Sequence, residues 1–126
     1  MSPSIDPQNG IPIFEQVCRQ VKFAIAQGAY RSGEMLPSVR EMAQKMAVNP
    51  NTVSRSYRDL QREDIIEAVR GTGMQVTPNA PALCKKERKR LIQERISSVL
   101  QEAHASQVSK NDIQTWLEKE VQRLWK

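Results

Sequence analysis

Residues 36–76 decide the fold: they read LPSVREMA at 36–43, VNPNTVSRSYRDL at 48–60, II at 65–66 and RGTG at 70–73. Two short helices, each opened by a capping residue, are followed at once by a hairpin that contains glycine. A helix-turn-helix with a wing has this order of elements, and that architecture inserts its second helix into a DNA major groove. The stretch therefore predicts a mainly α fold with a small β-hairpin, a winged helix-turn-helix.

Local capping signals set the limits of the two helices. Ser38, followed three residues later by Glu41, predicts a capping box at the start of the first helix. Asn49 before Pro50 predicts the start of the second, because asparagine caps helices and proline suits the first helical position. Helical spacing then predicts that the second helix buries Val53, Tyr57 and Leu60 and ends near Asp64.

The opposite face of the second helix carries the first candidate DNA contacts. A helix N-terminus has unsatisfied N–H groups and the positive end of the dipole, which suit phosphate. Short polar side chains there can reach phosphates or base edges, asparagine can pair with adenine, and arginine can bind guanine or phosphate. Arg62 lies about 16 Å beyond Asn51 along the axis and is expected to be solvated. The expected contacts from this helix are Asn51, Thr52, Ser54, Arg55 and Arg58.

Two neighbouring elements supply further candidates. Arg40 lies early in the helix that crosses the DNA backbone in this architecture, so it is expected to bind a phosphate. At the hairpin tip, glycine lets the backbone approach closely and an arginine can enter a minor groove. The tip candidates are Arg70, Gly71 and Thr72. The alternative is that the arginines are solvated and that Ser38 and Asn49 are caps only; their joint order with the wing favours DNA.

The residues around this stretch predict three segments. Residues 1–10 are rich in turn formers and are expected to be a flexible N-terminal segment. Residues 11–77 form the winged helix-turn-helix, and residues 78–126 form a helical tail that follows a hinge at Pro78 and Pro81. The first helix is expected to begin near Pro12 and end at Gly28. Its predicted core-facing residues are Phe14, Val17, Cys18, Val21, Ala24 and Ile25.

The tail is predicted to hold two helices with wide apolar stripes, the second capped by Ser109. Two helices alone cannot enclose so much apolar surface, so we expect a two-helix dimerisation tail in which a second copy covers it. The candidate dimerisation residues are Ile92, Ile96, Val99, Leu100, Ile113, Trp116, Leu117, Val121 and Leu124.

Composition limits the possible partners without identifying one. The net charge of +5 and the pI near 9.5 permit a polyanion partner, but the excess of basic residues lies after residue 76. The run Lys85, Lys86, Arg88, Lys89 and Arg90 is either a solvated helix start or a nonspecific phosphate contact. Cys18 and Cys84 are far apart, which favours reduced thiols, and no apolar run suggests a membrane partner. The sequence thus predicts a soluble cytoplasmic protein.

Other classes of function find little support. The chain has a single histidine, His104, and no Gly-rich phosphate loop, so no catalytic residues, metal site or cofactor are predicted. A winged-helix protein-interaction module that binds no DNA is the main alternative. It would need an apolar outward face on the second helix, and Asn51, Arg55 and Arg58 argue against one.

Over residues 11–77 the sequence resembles the GntR family of bacterial transcription regulators. The matching motifs are PIFEQ at 12–16, GEMLPS at 33–38, REMA at 40–43, NTV at 51–53, YRDL at 57–60 and RGTG at 70–73. The short helical tail resembles that of the YtrA-type subfamily. The resemblance implies a homodimer, a roughly palindromic double-stranded DNA operator and repression of a nearby transport operon. It also implies DNA contacts at Arg40, from Asn49 to Ser54 and from Arg70 to Thr72.

Departures from the family pattern carry expectations of their own. Many relatives have basic residues where this chain has Pro50 and Ser54, so base readout is expected to rest more on Asn51 and Arg55. Many also have glycine in place of Asp64. The tail is too small to enclose a typical ligand pocket, which leaves the dimer interface as the place for an unknown small-molecule effector. Trp116 and Trp125 either line such a site or, as aromatic stripes favour, pack in a core.

Overall fold

The computed structural model describes residues 5–126, which form five α-helices and a two-stranded antiparallel sheet. In chain order these elements are α1 (Ile13–Ala26), α2 (Val39–Met46), α3 (Pro50–Arg62), β1 (Ile66–Val69), β2 (Gly73–Val76), α4 (Ala80–Ala105) and α5 (Lys110–Leu124). The chain divides into two compact units, an N-terminal unit that ends at Arg88 and a C-terminal unit that begins at Lys89. The predicted mainly α fold with a small hairpin is confirmed.

Helices α1, α2 and α3 pack around one apolar core in the N-terminal unit. The predicted inner face of α3 is confirmed, because Val53, Tyr57 and Leu60 are all buried. Full burial of one such aliphatic side chain stabilises the fold by about 1.5–3 kcal/mol. The other helices and the hairpin contribute the remaining large buried side chains, among them Val17, Val21, Ile25, Met42, Ile65, Ile66 and Val76.

The predicted capping signals are present at the starts of three helices. In the capping box of α2, the Glu41 N–H donates to Ser38 Oγ over 3.1 Å and the Ser38 N–H donates to Glu41 Oε1 over 3.0 Å. Hydrogen bonds from Ser38 to the Glu41 carboxyl, first of all the one from the Ser38 backbone N–H, hold the pKa of that carboxyl below its usual value. Asn49 caps α3, with Pro50 at the first helical position, and Ser109 caps α5.

Three helices are followed by a non-glycine residue in the left-handed region. Asp64 follows α3 with a φ of 61°, which confirms the predicted helix end. Its N–H donates to Gln61 O, and the next N–H, of Ile65, donates to Leu60 O over 3.0 Å. This pair of bonds gives donors to carbonyls at the helix end that have no intrahelical N–H partner. Ala47 after α2 and Gln107 after α4 have φ values of 56° and 62° and repeat the pattern.

The wing has an additional extended segment that the sequence did not reveal. Residues 33–36 run beside β2: the Leu36 N–H donates to Met74 O and the Val76 N–H donates to Glu34 O, each over 2.9 Å. Gly73 is required at the start of β2, since a Cβ there would lie 3.3 Å from Met35 Cε and the φ is 140°. The segment before α2 therefore hydrogen-bonds to β2 through an isolated bridge, without forming a third strand.

Residues 5–10 of the expected flexible N-terminal segment contact α1 and the core. Residues 1–4 of that segment lie outside the described residues. For residues 5–10, the buried Gln16 amide supplies the anchor: Asp6 N–H donates to Gln16 Oε1 over 2.9 Å, and Gln16 Nε2 donates to Asp6 O over 2.7 Å. Ile5 packs against the core. A single buried amide thus holds this segment on α1.

Residues 78 and 79 of the expected hinge form a turn, and α4 begins directly after it at Ala80. Pro81 fits in the first turn of α4, because the N–H that proline lacks would have no intrahelical acceptor there. Ala80 and Cys84 are fully buried in the core of the N-terminal unit. The folded unit therefore extends past the expected boundary at residue 77, because the first turns of α4 complete its core.

The C-terminal unit contains the rest of α4 and all of α5, and its apolar stripes are uncovered in the single chain. Helix α5 has no buried residue, and the buried residues of α4 precede Lys89. Trp116 and Trp125 are 53% and 75% exposed, so the favoured packing of these rings in a core does not occur within one chain. The other exposed large apolar residues of this unit are Ile92, Ile96, Val99, Leu100, Leu117, Val121 and Leu124.

Candidate nucleic-acid interface

The outward face of α3 is polar and basic over its first turns. Asn51, Arg55 and Arg58 are exposed, and Thr52 and Ser54 between them are half-buried. The predicted inner face is buried on the other side of the helix. The side chains offered as DNA contacts therefore point away from the core. Arg62, expected to be solvated, is 75% exposed and pairs with Asp59 over 3.0 Å.

Asn49 and Pro50 shape the end of α3 that carries this face. Asn49 Oδ1 accepts from the Asn51 N–H over 2.8 Å, so the Asn49 side chain serves as a cap. The N–H groups of Thr52 and Val53 are directed to the Asn49 carbonyl. The positive end of the helix dipole lies here, beside the exposed Asn51 side chain. This end of α3 suits an anionic partner.

Tyr57 connects α3 to the beginning of α2. Its hydroxyl donates to Pro37 O over 2.7 Å, and burial raises the pKa of Tyr57, so the phenol stays protonated and can donate this bond. The contact joins the middle of α3 to the residue that precedes the capping box. Arg40, the second residue of α2, is exposed.

Arg55 does not stand alone on the surface, because its guanidinium lies over an aromatic ring. Arg55 Cζ is 3.5 Å from the centroid of the Phe14 ring. The sequence placed Phe14 in the core-facing stripe of α1; the structure shows it half-buried at the edge of that stripe. Ser56 Oγ also donates to Phe14 O over 2.7 Å. Both contacts join residues about 40 positions apart in the sequence, so no local sequence pattern predicts them.

The wing tip is a tight turn that keeps its side chains outside. The Thr72 N–H donates to Val69 O over 3.0 Å and closes the turn, in which Gly71 has a φ of 75°. Arg70, Gly71 and Thr72 are all exposed. All the candidate contact residues therefore belong to the N-terminal unit, at the starts of α2 and α3 and at the wing tip.

The first part of the basic run lies at the other end of α3. Glu87, within the run, pairs with Lys22 Nζ at 3.3 Å, and the same Nζ pairs at 2.8 Å with Glu63, the C-cap of α3. Thirteen helical residues separate that end from Asn49, which is about 20 Å. The placement of Lys85 and Lys86 favours a solvated helix start over a phosphate contact.

Buried groups elsewhere in this unit serve the fold. Burial raises the pKa of Cys18 and of Cys84 to about 11, so both thiols are protonated and unreactive near neutral pH. Burial by itself would lower the pKa of Lys22, but Glu63 and Glu87 raise it above its ordinary value. Over residues 5–126 no cluster of three or more potential metal ligands occurs, and no helix combines the length and apolarity that a bilayer requires.

Three packed helices, a wing and an exposed polar first turn on the second helix of the pair define a winged helix-turn-helix DNA-binding protein. Residues 13–76 match the family model described as bacterial regulatory proteins, gntR family. The chain is also 37% identical to the HTH-type transcriptional repressor YtrA of Bacillus subtilis (strain 168), over 90% of this chain and 87% of that protein. The chain therefore belongs to the GntR family, as a DNA-binding transcriptional regulator of the YtrA type.

Solved structures agree with this assignment. A GntR family transcriptional regulator from Listeria monocytogenes superposes with a TM-score of 0.65 at 31% identity, covering 89% of this chain and 97% of that one. YtrA from Sulfolobus acidocaldarius gives a TM-score of 0.59 at 30% identity, over 78% and 99% of the two chains. The DNA-binding domain of AraR in complex with operator ORE1 gives 0.51 at 25% identity, over 53% and 82%. The first two are named as a GntR family transcriptional regulator and a GntR-family transcription factor, and the third is bound to an operator.

Proposed function

We propose that this chain is a homodimeric repressor that binds a two-fold symmetric operator and has no enzymatic activity. The Bacillus subtilis relative that is similar over 90% of this chain is named a repressor. The DNA contacts in the proposal are Arg40, Asn49, Asn51, Thr52, Ser54, Arg55, Arg58, Arg70, Gly71 and Thr72. The observation that carries it is the combination of three exposed polar elements, at the capped start of α3, at Arg40 and at the wing tip, which are the elements that a winged helix-turn-helix presents to DNA.

Each group of contacts has its own part in recognition. Asn51, on the first turn of α3, suits a base edge because its amide can both donate and accept. Arg40, at the start of α2, suits a phosphate, which fixes the position of the domain without reading sequence. The tight turn at the wing tip, in which Gly71 has a φ of 75°, supports a contact of Arg70 with a minor groove. The alternative of a protein-interaction module lacks the apolar outward face that it would need.

The uncovered stripes of the C-terminal unit support a dimer of identical chains. Large apolar side chains on both α4 and α5 are about half exposed there, which is unfavourable in water at about 25 cal/mol per Å². A second copy offers the same apolar surface, and a two-fold interface is self-complementary. The same symmetry presents two copies of α3 to the two halves of a palindromic site.

An open depression of about 500 Å³ lies along α4 in the C-terminal unit, lined by Gln93, Ile96, Ser97, Leu100, Gln101 and His104. Two of its lining residues, Ile96 and Leu100, belong to the proposed dimer interface, so a second copy would cover it. An unknown small-molecule effector at that interface therefore stays a prediction. As a regulator of chromosomal genes, the protein is proposed to act in the cytoplasm.

A gel-shift experiment tests the DNA contacts. The probe is DNA from around the protein's own gene, in moderate salt with competitor DNA. Arg40→Ala is expected to weaken binding to all sequences, whereas Asn51→Ala is expected to change sequence preference. Arg62→Ala is the matched control, because Arg62 is an exposed arginine at the far end of α3. If the first two variants bind as the parent does, the proposed interface is wrong.

Analytical ultracentrifugation at micromolar concentration tests the dimer. The parent chain is expected to sediment as a dimer and Leu117→Asp as a monomer, since a charge in an apolar interface is costly. Leu83→Asp is the control: Leu83 is 44% exposed, close to the 47% of Leu117, but lies in the N-terminal unit. A monomeric mass for the parent chain would rule out the proposed assembly.

A further inference from the structure

Phe14 occupies an unusual place for an aromatic residue at the beginning of a helix. It is the second residue of α1, half-buried, and the guanidinium carbon of Arg55 lies 3.5 Å from its ring centroid. Planar guanidinium groups stack on aromatic faces through a cation–π interaction. Arg55 extends from the outward face of α3, the surface that the family uses to bind DNA. A side chain of α1, Phe14, therefore supports an arginine of that surface.

The ring is itself held in place from α3. Ser56 is fully buried, and its Oγ lies 2.7 Å from Phe14 O and 2.9 Å from Thr52 O, so the two carbonyls share its one hydroxyl proton. Two consecutive residues of α3 therefore engage Phe14, one through its ring and the other through its backbone carbonyl. These two contacts hold the beginning of α1 against α3 directly beneath Arg55.

The stack determines the direction in which Arg55 points. Ser56 lies about 100° around the helix axis from Arg55, and Phe14 contacts both residues. The Arg55 guanidinium is thus drawn toward the flank of α3 on which α1 packs, and away from the outermost line of the helix. The flanks of a recognition helix face the sugar–phosphate backbones at the edges of the groove.

Stacking also leaves the hydrogen-bonding edge of the guanidinium available. The N–H donors of arginine lie in the guanidinium plane, whereas the Phe14 ring covers one face of that plane. An unrestrained arginine loses rotamer freedom when it binds, and a stacked one has already lost part of it in the free protein.

We propose that Phe14 is a positioning residue for DNA binding, which holds the Arg55 guanidinium on the flank of α3 so that its N–H edge meets a DNA phosphate. The inference rests on the proposed function. In this proposal α1 contributes to the DNA interface through Phe14. Arg55 contacts the DNA sugar–phosphate backbone, and Asn51 contacts the bases.

The experiment uses the full chain and a duplex that the parent protein selects from a randomised DNA pool. The dissociation constant is measured by fluorescence anisotropy at several salt concentrations, and thermal unfolding is followed separately. The variants are Phe14→Leu, Phe14→Tyr, Arg55→Lys and Arg55→Gln. Arg62→Gln is the matched control, because that arginine on the same helix pairs with Asp59. A pool that yields no enriched sequence overturns the proposed function and this inference with it.

Each variant has a distinct expected result. Arg55→Gln should lower the slope of log affinity against log salt by about 0.9, the loss of one phosphate contact. Phe14→Leu should weaken binding by about 2- to 5-fold, the equivalent of an exposed cation–π contact, with the slope kept. Arg55→Lys should also weaken binding with the slope kept, since it keeps the charge and loses the planar stack. Phe14→Tyr keeps an aromatic ring and should retain parental affinity. Arg62→Gln should change neither quantity.

Two outcomes would overturn the inference once a selected duplex is in hand. One is a parental salt slope for Arg55→Gln, which would mean that Arg55 contacts no phosphate. The other is parental affinity for folded Phe14→Leu, even with a lower melting temperature, which would give Phe14 a role in folding alone. If Phe14→Leu does not fold, Arg55→Lys decides the second question, because it alters only an exposed side chain and tests the same stack.

Discussion

Two leucines on similar amphipathic helices show how differently the two units are completed. Leu60 on α3 is fully buried, whereas Leu117 on α5 is 47% exposed. Both helices begin with a side-chain cap, Asn49 for α3 and Ser109 for α5. The local rules that form a helix are thus obeyed equally in both units. The difference lies in what each apolar stripe contacts: α3 packs against α1 and α2, and α5 has no such cover within its own chain.

The largest expected effect comes from a pair of matched leucine-to-alanine substitutions, one in each unit, which test this contrast directly. Leu60→Ala should lower the free energy of unfolding by about 2–5 kcal/mol, because it leaves a cavity in a closed core. Leu117→Ala should have little effect on the isolated chain but should weaken the proposed dimer.

Urea unfolding at two protein concentrations checks both expectations. Trp116 and Trp125 are the chain's two tryptophans and lie in the C-terminal unit, so their fluorescence reports that unit, whereas far-UV circular dichroism also follows the helices of the N-terminal unit. The Leu60→Ala deficit should be the same at both concentrations, and the Leu117→Ala deficit should change with concentration. If both variants lost the same free energy of unfolding at both concentrations, the proposed difference between the two leucines would be wrong.

A smaller effect concerns the ion pairs that fasten the first turns of α4 to the N-terminal unit. Lys22→Met should lower the free energy of unfolding of that unit by about 1–3 kcal/mol, since Glu63 and Glu87 lose a buried charged partner. Lys45→Met, at an exposed lysine in the same unit, is the control.

The same pair of variants predicts a pH dependence. The pKa of Lys22 is raised in the folded protein above the ordinary value of 10.5. A raised pKa means that the contribution of Lys22 is fully present below pH 10.5 and is lost as the pH rises through the folded value. The stability difference between the parent and Lys22→Met should therefore shrink above pH 10.5. A difference that stays constant into strong alkali would show that the charge contributes nothing.

The smallest effect compares the same backbone conformation in the two units. Asp64→Gly and Gln107→Gly each replace a residue with φ near 60° by one that adopts it without strain. Each should stabilise its own unit by about 1 kcal/mol. Thermal unfolding by circular dichroism should show a rise for Asp64→Gly, and tryptophan fluorescence a rise for Gln107→Gly. A lower melting temperature for Asp64→Gly would contradict the helix end assigned to α3.

Features that depend on a few neighbouring residues were predictable. The capping box at Ser38, the cap at Asn49 and the left-handed helix end at Asp64 each follow from hydrogen bonds between residues no more than five positions apart. The buried stripe of α3 follows from helical period alone. From these signals the sequence by itself determined the order of elements, the winged helix-turn-helix and the outward face of its recognition helix.

Features that join distant parts of the chain were decided only by tertiary structure. The stack of Arg55 on Phe14, the anchoring of residues 5–10 by Gln16 and the pairing of Lys22 with Glu87 have no local pattern. The place of α4 is the clearest case, because Pro78 and Pro81 suggested a hinge while Ala80 and Cys84 complete a core. The apolar stripe of a helix, read from the sequence, predicts which side chains avoid water. Only the packed fold specifies what covers them, because burial depends on surfaces that meet across the whole chain.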